Sequence, residues 1–167
     1  FLQKYVGLER QEVASIMIAA TISSLIGTVF TGALSQYIGR MKTLTIFGLA
    51  TIILAIPTVI GIYESNSLME KMFFTGGLVF VASTAFGPMP AFLSERFPTE
   101  VRNTASGFAY NGGLIIGSWS PLIAIHFLSN VNQEFIAYAF AANIIIGSFI
   151  ICVGSRLNSE TRHISIE

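Results

Sequence analysis

The side chains able to do chemistry here are amides, hydroxyls and aromatic rings set in stretches that carry no charge. Tyr110, Asn111, Ser118 and Trp119 fall in one such stretch, Ser83 and Thr84 in a second, Ser24 and Thr28 in a third. Groups of this kind bind a small polar solute by hydrogen bonds without ionising. Asn111 is the strongest, a donor and acceptor in a setting poor in water. There it marks either a binding site or an interhelical hydrogen bond worth about 1 kcal/mol. Trp119 can stack on a ligand or fill a gap between helices. Sets of groups for bond-making are missing: no paired carboxylates, no His-Glu cluster, no Cys-His set within one stretch. No enzyme activity, metal site or bound cofactor is expected. His126 reads as a local hydrogen-bonder near a helix end, and Cys152 as a small packing residue.

The elements that position these groups follow from where the charges lie. Of 167 residues, 53% are hydrophobic and 11% charged, with no Asp. A soluble domain usually carries about 25% charge. The net charge of zero provides no basic field for nucleic acid. The charges cluster and leave residues 13–39, 43–63, 72–94, 103–133 and 135–155 uncharged. About 20 helical residues cross a hydrocarbon core of about 30 Å, and a charge at its centre costs roughly 2.5–3.5 kcal/mol. Runs such as Thr51-Ile52-Ile53-Leu54 do not alternate as barrel strands would. The pattern predicts an all-α membrane protein with five spans near 13–37, 43–63, 72–94, 104–128 and 135–155. Residues 1–12 read as the end of a preceding helix and an external loop, and 156–167 as a tail.

Orientation follows from Lys and Arg in the short loops. Arg40, Lys42, Arg96, Arg102, Arg156 and Arg162 share one side, and Lys4, Arg10 and Lys71 the other. The richer side is expected in the cytoplasm, with the N-terminus outside and the C-terminus inside a plasma membrane. An outside start without Met suggests a piece of a longer chain.

Within the spans, the first has small residues four apart at Ala20/Ser24, Ser23/Gly27 and Gly27/Thr31, a spacing that lets backbones approach. Pro57 is expected to kink the second, whose composition suits an outer, lipid-facing helix. Gly87, Pro88 and Pro90 loosen the third and are candidate hinges, since broken spans lie at sites or hinges in transporters. The fourth holds a Gly113/Gly117 pair suited to close helix packing. Asn111 lies about 13 Å into it, near the midplane where transporter sites tend to lie. Glu95 and Arg102, flanking the turn at Pro98, are expected to pair. Asn143 is the one strong polar group of the fifth.

Two loops carry a resemblance. Gly32-Ala-Leu-Ser-Gln-Tyr-Ile-Gly-Arg40-Met-Lys42 resembles the G-x-L-[SA]-D-x-x-G-R-[RK] signature of the major facilitator superfamily, with Gln36 where the family has Asp. Glu95-Arg-Phe-Pro98-Thr99-Glu-Val-Arg102, continuing to Gly107, Tyr110 and Asn111, is similar to the E-x-F-P-T-x-x-R-x-x-x-x-G-x-x-Y-N pattern of that superfamily's metabolite:proton symporters. These include organic acid, sialate and betaine-type carriers. The segment Asn158–Arg162 resembles the E-T-x-x closing segment of the same family.

The resemblance implies that the five spans correspond to helices 8–12 of a twelve-helix fold, with residues 1–6 ending helix 7. The first, third and fourth spans would line the central cavity, and the second and fifth would face lipid. Gly32, Gln36, Gly39, Arg40, Lys42, Glu95 and Arg102 would form the gating motifs at the cytoplasmic face. Tyr110, Asn111, Ser118, Trp119, Ser83, Thr84, Ser24 and Thr28 would contact substrate. The implied activity is secondary transport of a small polar metabolite, an organic acid first, by alternating access. Its partners would be lipid and the N-terminal half of the same transporter. A proton is the expected coupling ion. No span holds an acid, so the coupling carboxylate would lie outside these residues. A sugar, polyol or osmolyte carrier and a membrane sensor are the alternatives. An upstream half with its own copy of the loop motif would favour a transporter, and a fused soluble signalling domain a sensor.

Overall fold

The computed structural model describes residues 2–128 and 133–157, and every regular element among them is helical. In chain order these are α1 (Leu2–Tyr5), α2 (Arg10–Ile38), α3 (Arg40–Glu64), α4 (Leu68–Ser83), a 3₁₀ turn (Thr84–Phe86), α5 (Met89–Ser94), α6 (Arg102–Leu128) and α7 (Gln133–Arg156). The closing segment 158–162 lies outside the described residues. Helices satisfy their own backbone groups, which lipid demands. Among the described residues four pieces are long and apolar enough to cross a membrane: Arg10–Ile38, Arg40–Glu64, Leu68–Ser94 and Phe135–Arg156. The 27 residues of α6 reach as far but are interrupted by more polar residues.

Each long helix starts a few residues before its uncharged stretch. Arg10 and Glu12, Arg40 and Lys42, Glu70 and Lys71, and Arg102 all fall in first turns. Charge bounds the apolar core of a span, whereas the helix continues into the interface until a turn residue stops it. Between α2 and α3 that residue is Gly39, with φ 104°, where a Cβ would be strained.

The core is where α3, α4 and α7 meet, with Val59, Leu78, Ala137 and Ala141 packed together against Ile144. α2 lies along α4, while α6 touches the rest through α5 and α7. The helix whose composition suits an outer position, α3, has one packed and one exposed face. Leu44, Gly48, Thr51, Ala55 and Val59 are buried, while Ile46, Ile53 and Ile56 are exposed on its other side. Gly48 admits Cys152 of α7 so closely that a Cβ would stand 2.5 Å from its sulfur. Cys152 is therefore a packing residue. Pro57 does not interrupt α3, whereas Gly87, Pro88 and Pro90 together break the third span. The α3–α4 hairpin is closed by Lys71, which is buried and donates from Nζ to the carbonyls of Ile62 (3.1 Å) and Ser65. An ammonium at a helix C-terminus meets orphan carbonyls and the negative end of the helix dipole.

Candidate functional site

At one end of the bundle the α2–α3 junction faces the end of α5. Gly39 turns the chain, and Arg40 reaches back across it. Its Nε and Nη2 donate to Oε1 of Glu95 at 3.3 and 3.2 Å, and its Nη1 donates to Ser35 Oγ at 2.9 Å. Ser35, 1% exposed, in turn donates to the carbonyl of Gly32 at 2.8 Å. Both charged side chains are largely buried, at 13% and 8% exposure. Gln36 and Lys42 point outward.

The expected Glu95–Arg102 pair is replaced by this one. Arg102 folds back on its own turn, donating from Nε to the Phe97 carbonyl at 3.3 Å and from Nη2 to Thr99 Oγ at 3.2 Å. The cause is local. Pro98 makes a turn closed by Val101 N–H to the Pro98 carbonyl at 3.1 Å. Arg102 is thereby committed to the start of α6, while Glu95 stays at the end of α5 facing α2.

Halfway along the bundle α2 is stitched to the broken span. Thr28 Oγ donates to the Ser83 carbonyl at 3.3 Å, Thr31 Oγ lies 2.9 Å from the Thr84 carbonyl, and Ser83 Oγ lies 3.4 Å from the Ser24 carbonyl of α2 and 3.2 Å from the Phe80 carbonyl of its own helix. Ser83 and Thr84 are 4% and 2% exposed. Four expected substrate contacts, Ser24, Thr28, Ser83 and Thr84, are thus brought together, and all four take part in the helix contact. The backbone of Gly87 sits against α2. A Cβ there would strike the Thr28 carbonyl and come within 2.7 Å of Gly32 N. Its φ of −66° is ordinary for a helix, so the glycine is needed for space rather than for a turn. Pro88 is fully buried beside it.

The remaining four expected contacts lie elsewhere, on α6. Asn111 and Ser118 are exposed and bond to their own helix, Asn111 Nδ2 to the Gly107 carbonyl at 2.8 Å and Ser118 Oγ to the Ile115 carbonyl at 2.9 Å. Trp119 is 60% exposed, and Tyr110 is half-buried. Nothing among the described residues stands within 4 Å of a Cβ added at Gly113 or Gly117, so the expected close packing is not made inside this chain. Asn143 Oδ1 of α7 lies 3.3 Å from Ser120 Oγ of α6, whose nearer acceptor is the Gly117 carbonyl of its own helix at 2.8 Å, so the polar group of the last helix faces α6.

A cavity of about 610 Å³ opens between α2, α4 and α7 beneath α1. Met17, Thr21 and Ser24 of α2, Thr75 and Leu78 of α4, and Phe140 of α7 are among its walls. Ser24 is the one expected contact that lines it. The lining is mainly apolar, with scattered hydroxyls, and suits burial of carbon more than of charge. No group of three His, Cys, Asp or Glu placed to hold a metal occurs among the described residues.

Residues 1–163 match the Major Facilitator Superfamily. The chain belongs to that superfamily. It is 34% identical over 96% of its length to the inner membrane metabolite transport protein YhjE of Escherichia coli, and 34% identical over 95% to a probable 4-methylmuconolactone transporter of Cupriavidus pinatubonensis. It is 26% identical over 84% of its length to the sialic acid transporter NanX of Escherichia coli. These matches span 36%, 37% and 35% of the relatives, so the chain covers little more than a third of proteins of this kind. No solved structure matches it.

As a major facilitator chain it is an integral, multi-pass membrane protein. The superfamily loop signature is folded here around Arg40, and its Ser35 makes the contact that the charge-free Gln36 does not. Ser35 was not singled out from sequence, because a small residue in a motif reads as packing. From sequence Thr31 reads as one of several hydroxyls of its span and as the small partner of Gly27 four residues before it.

Proposed function

We propose that this chain is the C-terminal half of a secondary transporter that moves a small polar metabolite, an organic acid, across the plasma membrane by alternating access. The observation that carries the reading is α6. Asn111, Ser118 and Trp119 are exposed on a helix whose contacts among the described residues run mainly to α5 and α7. Such groups are expensive in lipid and are retained where they line a pathway. The names of the relatives, two of which specify a lactone and a sialic acid, support a small oxygen-rich solute.

In this reading the end bearing Arg40, Glu95 and Arg102 is cytoplasmic. The two halves of the transporter rock about a midplane site, and substrate favours the occluded state only through its greater affinity for it. Asn111 supplies a donor and an acceptor to substrate, and Trp119 a flat apolar wall. Transport is proton-coupled, with the titrating carboxylate contributed by the rest of the protein, since residues 13–39, 43–63, 72–94, 103–133 and 135–155 hold no acid.

Thermal melting of the intact protein against a panel of small mono- and dicarboxylates, sugars and betaines tests the substrate class. A ligand at 100 times its Kd stabilises by about 2.7 kcal/mol, enough to read as a shift in Tm. At least one acid should raise Tm, and Asn111→Ala should abolish that shift while leaving the ligand-free Tm in place. A shift with sugars alone, or one that survives in Asn111→Ala, contradicts the assignment.

A further inference from the structure

The break in the third span removes a specific hydrogen bond. In a continuous α-helix residue 88 would donate its N–H to the carbonyl of Thr84, four residues back. Pro88 has no N–H to give, and the chain passes this point as a 3₁₀ turn, whose hydrogen-bond geometry is poorer. Thr31 Oγ of α2 lies 2.9 Å from that carbonyl and 2.7 Å from the carbonyl of Gly27 in its own helix. One hydroxyl carries one proton and serves one acceptor fully at a time. The two acceptors differ in need. The Gly27 carbonyl has the backbone N–H of Thr31 within the unbroken α2, whereas the Thr84 carbonyl has, in place of its α-helical donor, only the poorer i+3 bond that closes the 3₁₀ turn. Thr31 and Thr84 are 0% and 2% exposed, so bulk water does not make up the loss.

We infer that Thr31 is a positioning residue: it supplies the hydrogen bond that Pro88 withholds and thereby lets α2 set the bend of the broken span. The surroundings fit this role. Thr28 makes the same kind of bond one residue earlier, to the Ser83 carbonyl. Gly87 lies so close to Gly32 and Thr31 that a Cβ would stand 2.7 Å from Gly32 N and 2.9 Å from Thr31 Oγ. The stretch Gly87-Pro88-Met89-Pro90 is then no free swivel. It is a bend carried by its neighbour, and α2 moves together with the broken span. The consequence for transport rests on the transporter reading above, whereas the hydrogen-bond assignment does not.

A double-mutant cycle in the intact protein separates the two, using Thr31→Val, Thr31→Ser, Pro88→Ala and the Thr31→Val/Pro88→Ala pair. The readouts are Tm in detergent and the KM and turnover of uptake. Thr31→Val keeps the volume and loses the proton. It should lower Tm and cut turnover about fivefold with little change in KM, the size expected for one buried hydrogen bond. Thr31→Ser should stay within about twofold of the parent. Pro88→Ala restores an N–H four residues from Thr84, so Thr31→Val added to it should change neither readout further. An equal loss in both backgrounds would mean that Thr31 only packs, and would overturn the inference, as would a Thr31→Val protein with parental Tm. Should Pro88→Ala fail to insert, the contrast of Thr31→Val with Thr31→Ser decides: equal Tm values overturn the inference. If the parent protein takes up nothing, the transporter reading fails, and the Tm cycle alone still decides the role of Thr31.

Discussion

Arg40 and Glu95, 55 residues apart in the chain, meet at 3.2 Å where α2 passes into α3 and α5 ends. Two donors of one guanidinium converge on one carboxylate oxygen, and both side chains are mostly shielded from solvent. A pair of this kind differs from an exposed ion pair, which contributes about 0–1 kcal/mol. Removing one partner from a shielded pair leaves an uncompensated charge and costs about 3–5 kcal/mol when burial is complete. Partial burial here places the effect at or below the lower end of that range.

Glu95→Gln should therefore reduce the initial uptake rate of the intact protein at least about tenfold at matched protein level. The exchange Arg40→Glu with Glu95→Arg should regain part of it. Arg102→Ala should be milder than Glu95→Gln, because Arg102 bonds only within its own turn. The opposite ranking in a vesicle uptake assay would show that the pair is ornamental.

Ser35→Ala removes the acceptor for Arg40 Nη1 and the donor to Gly32, while Glu95 remains in place. Losing one hydrogen bond to a charged group costs about 1.5–3 kcal/mol, and Glu95 offsets part of that. Uptake should fall severalfold, less than in Glu95→Gln. Ser35→Ala combined with Glu95→Gln should be non-additive, because the two residues hold the same guanidinium. Simple multiplication of the single effects would separate Ser35 from the pair.

Gly87 and Gly77 make a matched test of close packing. Alanine at Gly87 would meet the backbone of α2, and alanine at Gly77 meets nothing within 4 Å among the described residues. Gly87→Ala should lower stability by about 1–3 kcal/mol through forced displacement of α2. Gly77→Ala should be neutral or stabilising by up to about 1 kcal/mol, from helix propensity. Thermal melting in detergent reads both. Equal Tm values for the two variants would show that the α2 contact yields without strain.

Orientation is open to a direct check. An impermeant thiol reagent applied from outside should label a cysteine introduced at Ser65 and leave one at Thr99 unlabelled. Labelling at Thr99 alone would invert the topology that the basic residues suggest.

The spans were legible in the sequence because the penalty for a charge in hydrocarbon acts along the chain, residue by residue. The faces that meet were not. Helices apolar on nearly every side give no periodic signal to show which side packs, and so α3 read as an outer helix although Val59 and Ala55 are buried. Glu95 and Arg102 looked like partners because they are near in sequence. Arg40 is the partner because the backbone turns at Gly39 and Pro98 aim the chains differently. Ser83 and Thr84 read as solute contacts by their hydroxyls; the neighbours they have in the structure, Thr28 and Thr31 of α2, come from the fold around the break at Pro88 and are not legible in the sequence. Gly113 and Gly117 have room for a Cβ among the described residues, so their spacing alone does not show what they pack against.

The proposed activity is transport of a small acid driven by a proton gradient. It is tested by uptake of the acid that most raises Tm into proteoliposomes of the intact protein, with the lumen more alkaline than the outside. The account predicts accumulation above the outside concentration, abolished by a protonophore and reduced at least about tenfold by Glu95→Gln. Uptake that ignores the pH gradient would contradict proton coupling, and no uptake of any acid that the protein binds would contradict transport itself.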